Sequence, residues 1–118
     1  MDDEDAIRKL ASAMLGRLGY RVDVARDGRE AIEKYGQARS EGDTFDTVIM
    51  DLTVPGGMGG KDAIKELMAI DPGVTAIVSS GYADDPVMAA YQQYGFKGVV
   101  PKPFGMAELS RLLQQVMN

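Results

Sequence analysis

The chain has 118 residues, of which 45% are hydrophobic and 26% are charged, with no Cys, no His and a formal net charge of −5. This composition predicts one globular domain over residues 1–118, and it excludes disulfides, thiolate nucleophiles and imidazole bases. The acidic balance gives no electrostatic basis for nucleic-acid binding, and neither a membrane span nor a secretory signal is present, so we expect a cytoplasmic protein without membrane contact.

Helical and strand-like patterns alternate along the first part of the chain. One apolar stripe over residues 7–18 predicts a helix, and Gly19 is placed to end it in a left-handed conformation. Alternating residues at 21–25 predict a short strand. Asp27, followed by Glu30, forms a capping-box pattern that begins a second helix.

The second part of the chain continues this alternation. Its strands are continuous apolar runs, which are typical of strands buried on both faces of a sheet. The predicted elements are a strand at 47–50, a helix after 59–60, a strand at 74–78, a helix at 86–95, a strand at 99–100 and a helix at 106–116. Strict alternation of helix and strand predicts an α/β fold in which helices cover both faces of a doubly wound parallel sheet.

Polar residues directly follow three of the predicted strands. These residues are Asp51, Ser80 and Lys102. In open parallel sheets, ligands bind beyond the carboxyl ends of the strands. We therefore expect the three side chains to meet at one edge of the sheet.

The acidic residues near the N-terminus can complete a metal site. Asp2, Asp3, Glu4 and Asp5 are consecutive, and we expect the first two to join Asp51, whereas the other two fit the solvated first turn of a helix. Clustered carboxylates raise one another's pKa unless a cation lies between them. An all-oxygen set of ligands suits Mg²⁺, which is the cofactor that we predict.

The predicted cluster combines groups that serve phosphoryl transfer. Carboxylates, Mg²⁺, an ammonium and a hydroxyl each stabilise the transferred group or hold its oxygens. The nucleophile must be a carboxylate, because Ser80 has no imidazole to activate it. Taken alone, Asp51 also fits a helix cap and Lys102 an ordinary surface lysine. Their combination favours the functional interpretation.

Four motifs resemble the receiver domain of response regulators in two-component signalling. They are DDED near the start, VIMDLTVP around Asp51, VSSGY around Ser80 and KPF at Lys102, and the resemblance covers essentially the whole chain. It implies a flavodoxin-like fold with a five-stranded sheet in the order 2-1-3-4-5. It also implies that Asp51 accepts a phosphoryl group from a histidine kinase or a phosphotransfer protein, so that the domain itself is not an enzyme.

The resemblance also implies roles for individual residues. Asp3, Asp51 and the backbone carbonyl of Thr53 would bind Mg²⁺, with Asp2 holding a metal-bound water. Ser80 would hydrogen-bond to the phosphoryl oxygens.

Further implications concern the last motif and the output. Lys102 would pair with the phosphoryl group, and the bond between it and Pro103 is expected to be cis. Many receivers have an aromatic residue at the position of Val99, whose side chain cannot make the inward swing of an aromatic switch. We expect output to a partner or attached domain through the fourth helix, last strand and last helix. The candidate contact residues are Val87, Met88, Tyr91 and Lys97.

The start of the chain departs from the receiver pattern. A receiver opens with an apolar strand in the middle of its sheet, whereas only Met1 precedes Asp2 here. We expect this strand to be missing or truncated, which leaves the edges at Val22 and Val48 without a partner, at about 1–3 kcal/mol for each unpaired buried amide. The sequence is therefore expected to be a fragment, or another segment fills the gap.

Two other functions remain as alternatives. A phosphatase of the haloacid-dehalogenase type also uses an aspartate nucleophile, but it needs a second acid where this chain has Thr53. The other alternative is a receiver-like interaction module that is never phosphorylated. The DDED and VSSGY segments also resemble receivers attached to hybrid sensor histidine kinases.

Overall fold

The computed structural model describes residues 1–82 and 84–117, so Ala83 and Asn118 of the predicted domain lie outside the described residues. Helices and strands alternate along these residues. No helix in the described ranges is long and apolar enough to cross a membrane. The elements are α1 (Asp5–Arg17), α2 (Gly28–Ser40), β1 (Val48–Asp51), α3 (Gly60–Ile70), β2 (Ala76–Ser80), α4 (Pro86–Ala89), a 3₁₀ helix (Tyr91–Tyr94), β3 (Gly98–Pro101) and α5 (Met106–Met117).

The strands form one parallel sheet with β2 in its centre. The order is β1-β2-β3, and Val78 of β2 pairs with Met50 on one side and with Val99 on the other. Every residue of β2 is buried. This arrangement confirms the α/β fold with a parallel sheet, and it places the carboxyl ends of all three strands at one edge.

Helices cover the two faces of the sheet with separate apolar cores. One core includes Tyr35, Met50, Ile64, Leu67 and Phe96, which pack between the sheet and α2, α3 and α4. The other core joins the sheet to α5. Its buried residues are Ile77, Val100, Leu109 and Leu113.

Met1 and Asp2 lie where the last residues of the expected first strand would lie. The main-chain nitrogen of Met1 lies 2.6 Å from the carbonyl oxygen of Ile49, and the amide of Asp51 donates to the Met1 carbonyl at 2.9 Å. On the other side, the Asp2 amide donates to the carbonyl of Ala25 at 3.0 Å. These two residues therefore bond to both neighbouring segments, as a central parallel strand does.

The strand predicted at residues 21–25 is not formed, and this prediction was wrong. The residues of this segment alternate as in a strand, but in the structure the segment has no regular secondary structure. A strand needs a hydrogen-bonding neighbour, and among the described residues Met1–Asp2 reaches this segment through the bond from the Asp2 amide to the Ala25 carbonyl. The described residues thus form three strands of the five in the expected order 2-1-3-4-5.

A cavity of about 650 Å³ lies between residues 21–25 and β1. Residues of α1, α2 and α5 line it, together with the two flanking segments. The hydroxyl of Ser79, which also lines the cavity, is buried and has no hydrogen-bond partner within the described ranges. The apolar lining includes Ile7, Leu15, Val22, Tyr35, Ile49 and Leu113.

The helix ends follow the sequence signals, except in the fourth helix. The Asp27 side chain caps α2 by accepting the Glu30 amide at 2.9 Å, and Gly19 after α1 has a φ of 94°. The helix predicted over 86–95 is instead α4 and the 3₁₀ helix, because the backbone at Ala90 (φ −111°, ψ 32°) leaves the helical region. Gly95 ends the second piece with a φ of 102°, as predicted.

Candidate functional site

Asp51 is the last residue of β1 and its carboxylate is largely buried. The residue is 7% exposed, and one carboxylate oxygen lies 3.2 Å from the Nζ of Lys102. Burial raises the pKa of Asp51, the nearby Asp2 carboxylate adds to this effect, and the Lys102 ammonium opposes it. The carboxylate is therefore placed where a further positive charge stabilises its ionised form.

Asp2 and Asp3 lie beside Asp51, as the sequence predicts. One carboxylate oxygen from each of the three residues lies within 4.8 Å of the others, with Asp2 and Asp51 buried and Asp3 exposed. Three hard oxygen donors at this spacing fit a Mg²⁺ ion, which retains water on its remaining positions. Thr53 is exposed two residues beyond Asp51, and the role of its carbonyl stays a prediction.

Lys102 follows β3 and joins two of these carboxylates. Its Nζ is 2.5 Å from Asp2 Oδ2 and 3.2 Å from Asp51 Oδ1, and its side chain is 15% exposed. Burial lowers the pKa of Lys102, but the two carboxylates outweigh burial and raise it overall. Lys102 therefore carries its charge at neutral pH. The bond between Lys102 and Pro103 is cis, as predicted.

Ser80 lies at the same edge, but its hydroxyl bonds to its own loop. Its Oγ accepts a hydrogen bond from the Tyr82 amide at 3.0 Å, and the residue is buried. The Ser80 carbonyl accepts the Lys102 amide at 2.9 Å, which ties the ends of β2 and β3 together. The structure thus places Ser80 next to Lys102 at the sheet edge, and its role toward a phosphoryl group stays a prediction.

Arg8 was missed by the sequence analysis, although it contacts the cluster directly. From α1 its guanidinium donates to the main-chain carbonyl of Asp2 at 2.9 Å and to the Asp5 carboxylate at 3.0 Å. The Asp2 side chain in turn accepts the Glu4 amide at 2.9 Å. The sequence signal for this contact is a basic residue placed about one helical turn after a run of acidic residues. A side chain near the start of a helix can reach the loop that precedes it.

The proposed contact surface for a partner needs a correction. Val87 and Met88 are buried in the core, so neither is available to a partner. They lie on the inner side of α4, because the short helix packs directly on β2. Lys97 is exposed, and Tyr91 and Val99 are half-buried. These three line a separate groove of about 400 Å³ together with Leu112, Gln115 and Val116 of α5.

Sequence comparisons place this chain among known signalling proteins. The family model described as "Response regulator receiver domain" matches residues 1–114. The chain is 35% identical to the chemotaxis protein CheY of Thermotoga maritima over 117 residues, which are 98% of this chain and 92% of that protein. It is 32% identical to the sensor kinase CckA of Brucella abortus, but it spans only 12% of that protein's length.

Solved structures share the fold over nearly the whole chain. The receiver domain of the sensor histidine kinase PA1611 from Pseudomonas aeruginosa, with a magnesium ion coordinated in its active site cleft, has a TM-score of 0.85 and 29% identity, and the match covers 99% of this chain and 93% of that one. The chemotaxis protein CheY4 of Vibrio cholerae has a TM-score of 0.83 and 30% identity, with 98% and 92% covered.

Proposed function

The chain belongs to the response regulator receiver domain family, and we propose that its Asp51 is the phosphoacceptor. Receiver domains of this family are phosphoacceptor signalling modules rather than enzymes in the usual sense. The observation that carries the proposal is the position of the Asp51 carboxylate, buried between two further carboxylates and the Lys102 ammonium. Nothing in the comparisons favours a phosphatase.

The proposed donor is a phosphohistidine on a histidine kinase or a phosphotransfer protein. A carboxylate oxygen of Asp51 attacks the phosphorus, so that a P–O bond forms while the P–N bond to the donor imidazole breaks. The departing imidazole keeps the bonding electron pair and takes up a proton. Lys102, already 3.2 Å from Asp51, pairs with the new negative charge on the phosphoryl oxygens.

Mg²⁺ is the cofactor that these residues would hold. Asp3, Asp51 and the Thr53 carbonyl are the proposed ligands, with Asp2 acting through a water molecule. When bound, the ion neutralises charge on the transferred group and on the carboxylates around it. The close approach of the three Asp side chains supports this assignment, and the magnesium in the related receiver of PA1611 agrees with it.

Ser80 is the proposed switch residue. Its hydroxyl gives up the hydrogen bond from the Tyr82 amide and rotates to donate to a phosphoryl oxygen. This rotation releases the amide of Tyr82, which lies in the chain between β2 and α4. We assign output to the neighbouring groove formed by Tyr91, Lys97 and Val99 with α5, where a partner or attached domain would bind.

A labelling experiment tests the proposal. The protein is incubated with Mg²⁺ and acetyl phosphate, and the modified residue is located by mass spectrometry after reduction with borohydride. We expect one phosphoryl group on Asp51 and none in the Asp51→Asn variant, whereas Asp62→Asn, an exposed acid on α3, leaves the labelling unchanged. Steady hydrolysis of a general phosphoester would indicate a phosphatase, and absence of any label would indicate a passive interaction module.

A further inference from the structure

Arg8 makes a contact with the main chain of the acidic pair. Its guanidinium donates to the carbonyl oxygen of Asp2, which is part of the peptide bond between Asp2 and Asp3. A peptide bond is planar, so a hydrogen bond that holds its carbonyl also holds the orientation of the plane that contains the Cα atoms of Asp2 and Asp3. The second branch of the guanidinium binds Asp5 and so ties Arg8 to the first turn of α1.

Main-chain hydrogen bonds of Met1 and Asp2 also support the acidic pair. Met1 and Asp2 hydrogen-bond to β1 on one side and to Ala25 on the other. Both residues also line the cavity of about 650 Å³. The Arg8 side chain is only 15% exposed, and its hydrogen bond to a main-chain oxygen is charge-assisted, which makes it stronger than a neutral one.

We propose that Arg8 is a positioning residue for the Mg²⁺ site. It holds the peptide bond between Asp2 and Asp3 so that both carboxylates face Asp51. The inference rests on the proposed function, because it assigns a role toward the cation of that same site. Arg8 itself does not touch the cation or the phosphoryl group.

The direction in which Mg²⁺ affinity changes when Arg8 is replaced distinguishes a positioning role from a purely electrostatic one. Arg8 is a positive charge beside a cation site, so Coulomb repulsion alone predicts that its removal tightens Mg²⁺ binding. Positioning predicts the opposite result, because loss of the hydrogen bond lets the acidic pair take directions that do not bind the ion. The Arg8→Lys variant sharpens this contrast, since it keeps the charge but loses the two-branched contact.

The experiment measures Mg²⁺ affinity by titration calorimetry on the folded protein. We expect Arg8→Met to bind Mg²⁺ about tenfold more weakly than the unmodified chain, equivalent to about 1.4 kcal/mol, and Arg8→Lys to bind more weakly still. The matched control is Lys9→Met, which removes a charge from the same turn and breaks only an exposed pair with Asp5. Unchanged or tighter binding by Arg8→Met would overturn the proposal.

Amide hydrogen exchange without Mg²⁺ gives a second readout. The amide of Glu4 donates to the Asp2 side chain and that of Asp51 to the Met1 carbonyl, so both should exchange faster in the Arg8 variants. A lower urea midpoint with no change at these two amides would indicate general stabilisation instead, and the proposal would fail. If the unmodified chain binds no Mg²⁺, the metal part of the proposed function fails, while the exchange data still decide the role of Arg8.

Discussion

The Nζ of Lys102 lies 2.5 Å from a carboxylate oxygen of Asp2, although 100 positions separate the two residues in the sequence. The ammonium neutralises a carboxylate that the proposed Mg²⁺ site also uses. Lysine and cation therefore compete for the same negative charge. When Mg²⁺ binds, we expect Lys102 to be released from Asp2 and to become available to the phosphoryl group.

Magnesium should stabilise the folded protein, because the ion binds the acidic cluster only when the cluster is assembled. For a dissociation constant on the order of 1 mM, about 10 mM Mg²⁺ raises the free energy of unfolding by about 1.4 kcal/mol. Urea unfolding at matched ionic strength measures this effect. We expect Asp3→Asn and Asp51→Asn to abolish it and the exposed Asp62→Asn to retain it. An equal gain in all variants would show that the effect of Mg²⁺ is not at this site.

Tyr35 should make stability fall at alkaline pH. Its hydroxyl donates to Asp71 at 2.7 Å, and burial, followed by this hydrogen bond to the carboxylate, raises the pKa of Tyr35. Because the pKa of Tyr35 is higher in the folded state, the neutral hydroxyl contributes its full amount to the free energy of unfolding below the unfolded-state pKa of about 10. This contribution is lost as the pH rises above that value.

The Tyr35→Phe variant tests this pH dependence. It should lower the free energy of unfolding by about 1 kcal/mol at neutral pH, through loss of the hydrogen bond. Above about pH 10 its stability should decline less steeply than that of the unmodified chain. Urea titrations across this range measure both effects, and identical slopes for the two proteins would contradict the assignment.

An added apolar strand should fill the cavity beside β1. A variant with about four β-branched residues directly before Met1 would extend the hydrogen bonds that this residue already makes to β1. We expect a higher free energy of unfolding and slower amide exchange at residues 22–25 and 48–50. A Gly-Ser extension of the same length is the control. Equal stability of the two variants would show that the cavity does not accept a strand.

Two glycine substitutions should have opposite effects. A Cβ on Gly59 would lie 2.3 Å from the carbonyl oxygen of Leu52, which directly follows Asp51. Gly59→Ala should therefore cost about 1–3 kcal/mol and slow the phosphorylation of Asp51. Gly36 lies inside α2, where a Cβ meets only one side-chain atom, at 4.0 Å, so Gly36→Ala should stabilise by about 0.5–1 kcal/mol. Unfolding and labelling rates measure the contrast.

The sequence predicts most of what depends on local pattern. The alternation of helix and strand and the caps at Asp27 and Gly95 arise from neighbouring residues, and the structure contains them. The approach of Asp51 and Lys102 follows from one general rule, that parallel strands end at the same edge of the sheet. Their chemical roles, like that of Ser80, stay proposals.

What the sequence does not predict depends on contacts between distant segments. Residues 21–25 alternate like a strand, but pairing requires a neighbour that local pattern cannot supply. Val87 and Met88 belong to a helix too short to show which side faces the sheet. A sequence motif does not predict the hydrogen bond from Arg8 to the Asp2 carbonyl, because the acceptor is a main-chain atom that every residue has.

The bond between the Lys102 amide and the Ser80 carbonyl has a mechanical consequence. The Ser80 hydroxyl and the Lys102 ammonium would both bind a phosphoryl group, and this hydrogen bond joins the main chains of the two residues. We therefore expect rotation of the two side chains to be enough for both to reach the group. We expect a displacement of one strand end to move the other as well. We therefore expect the ends of β2 and β3 to move together when a phosphoryl group binds.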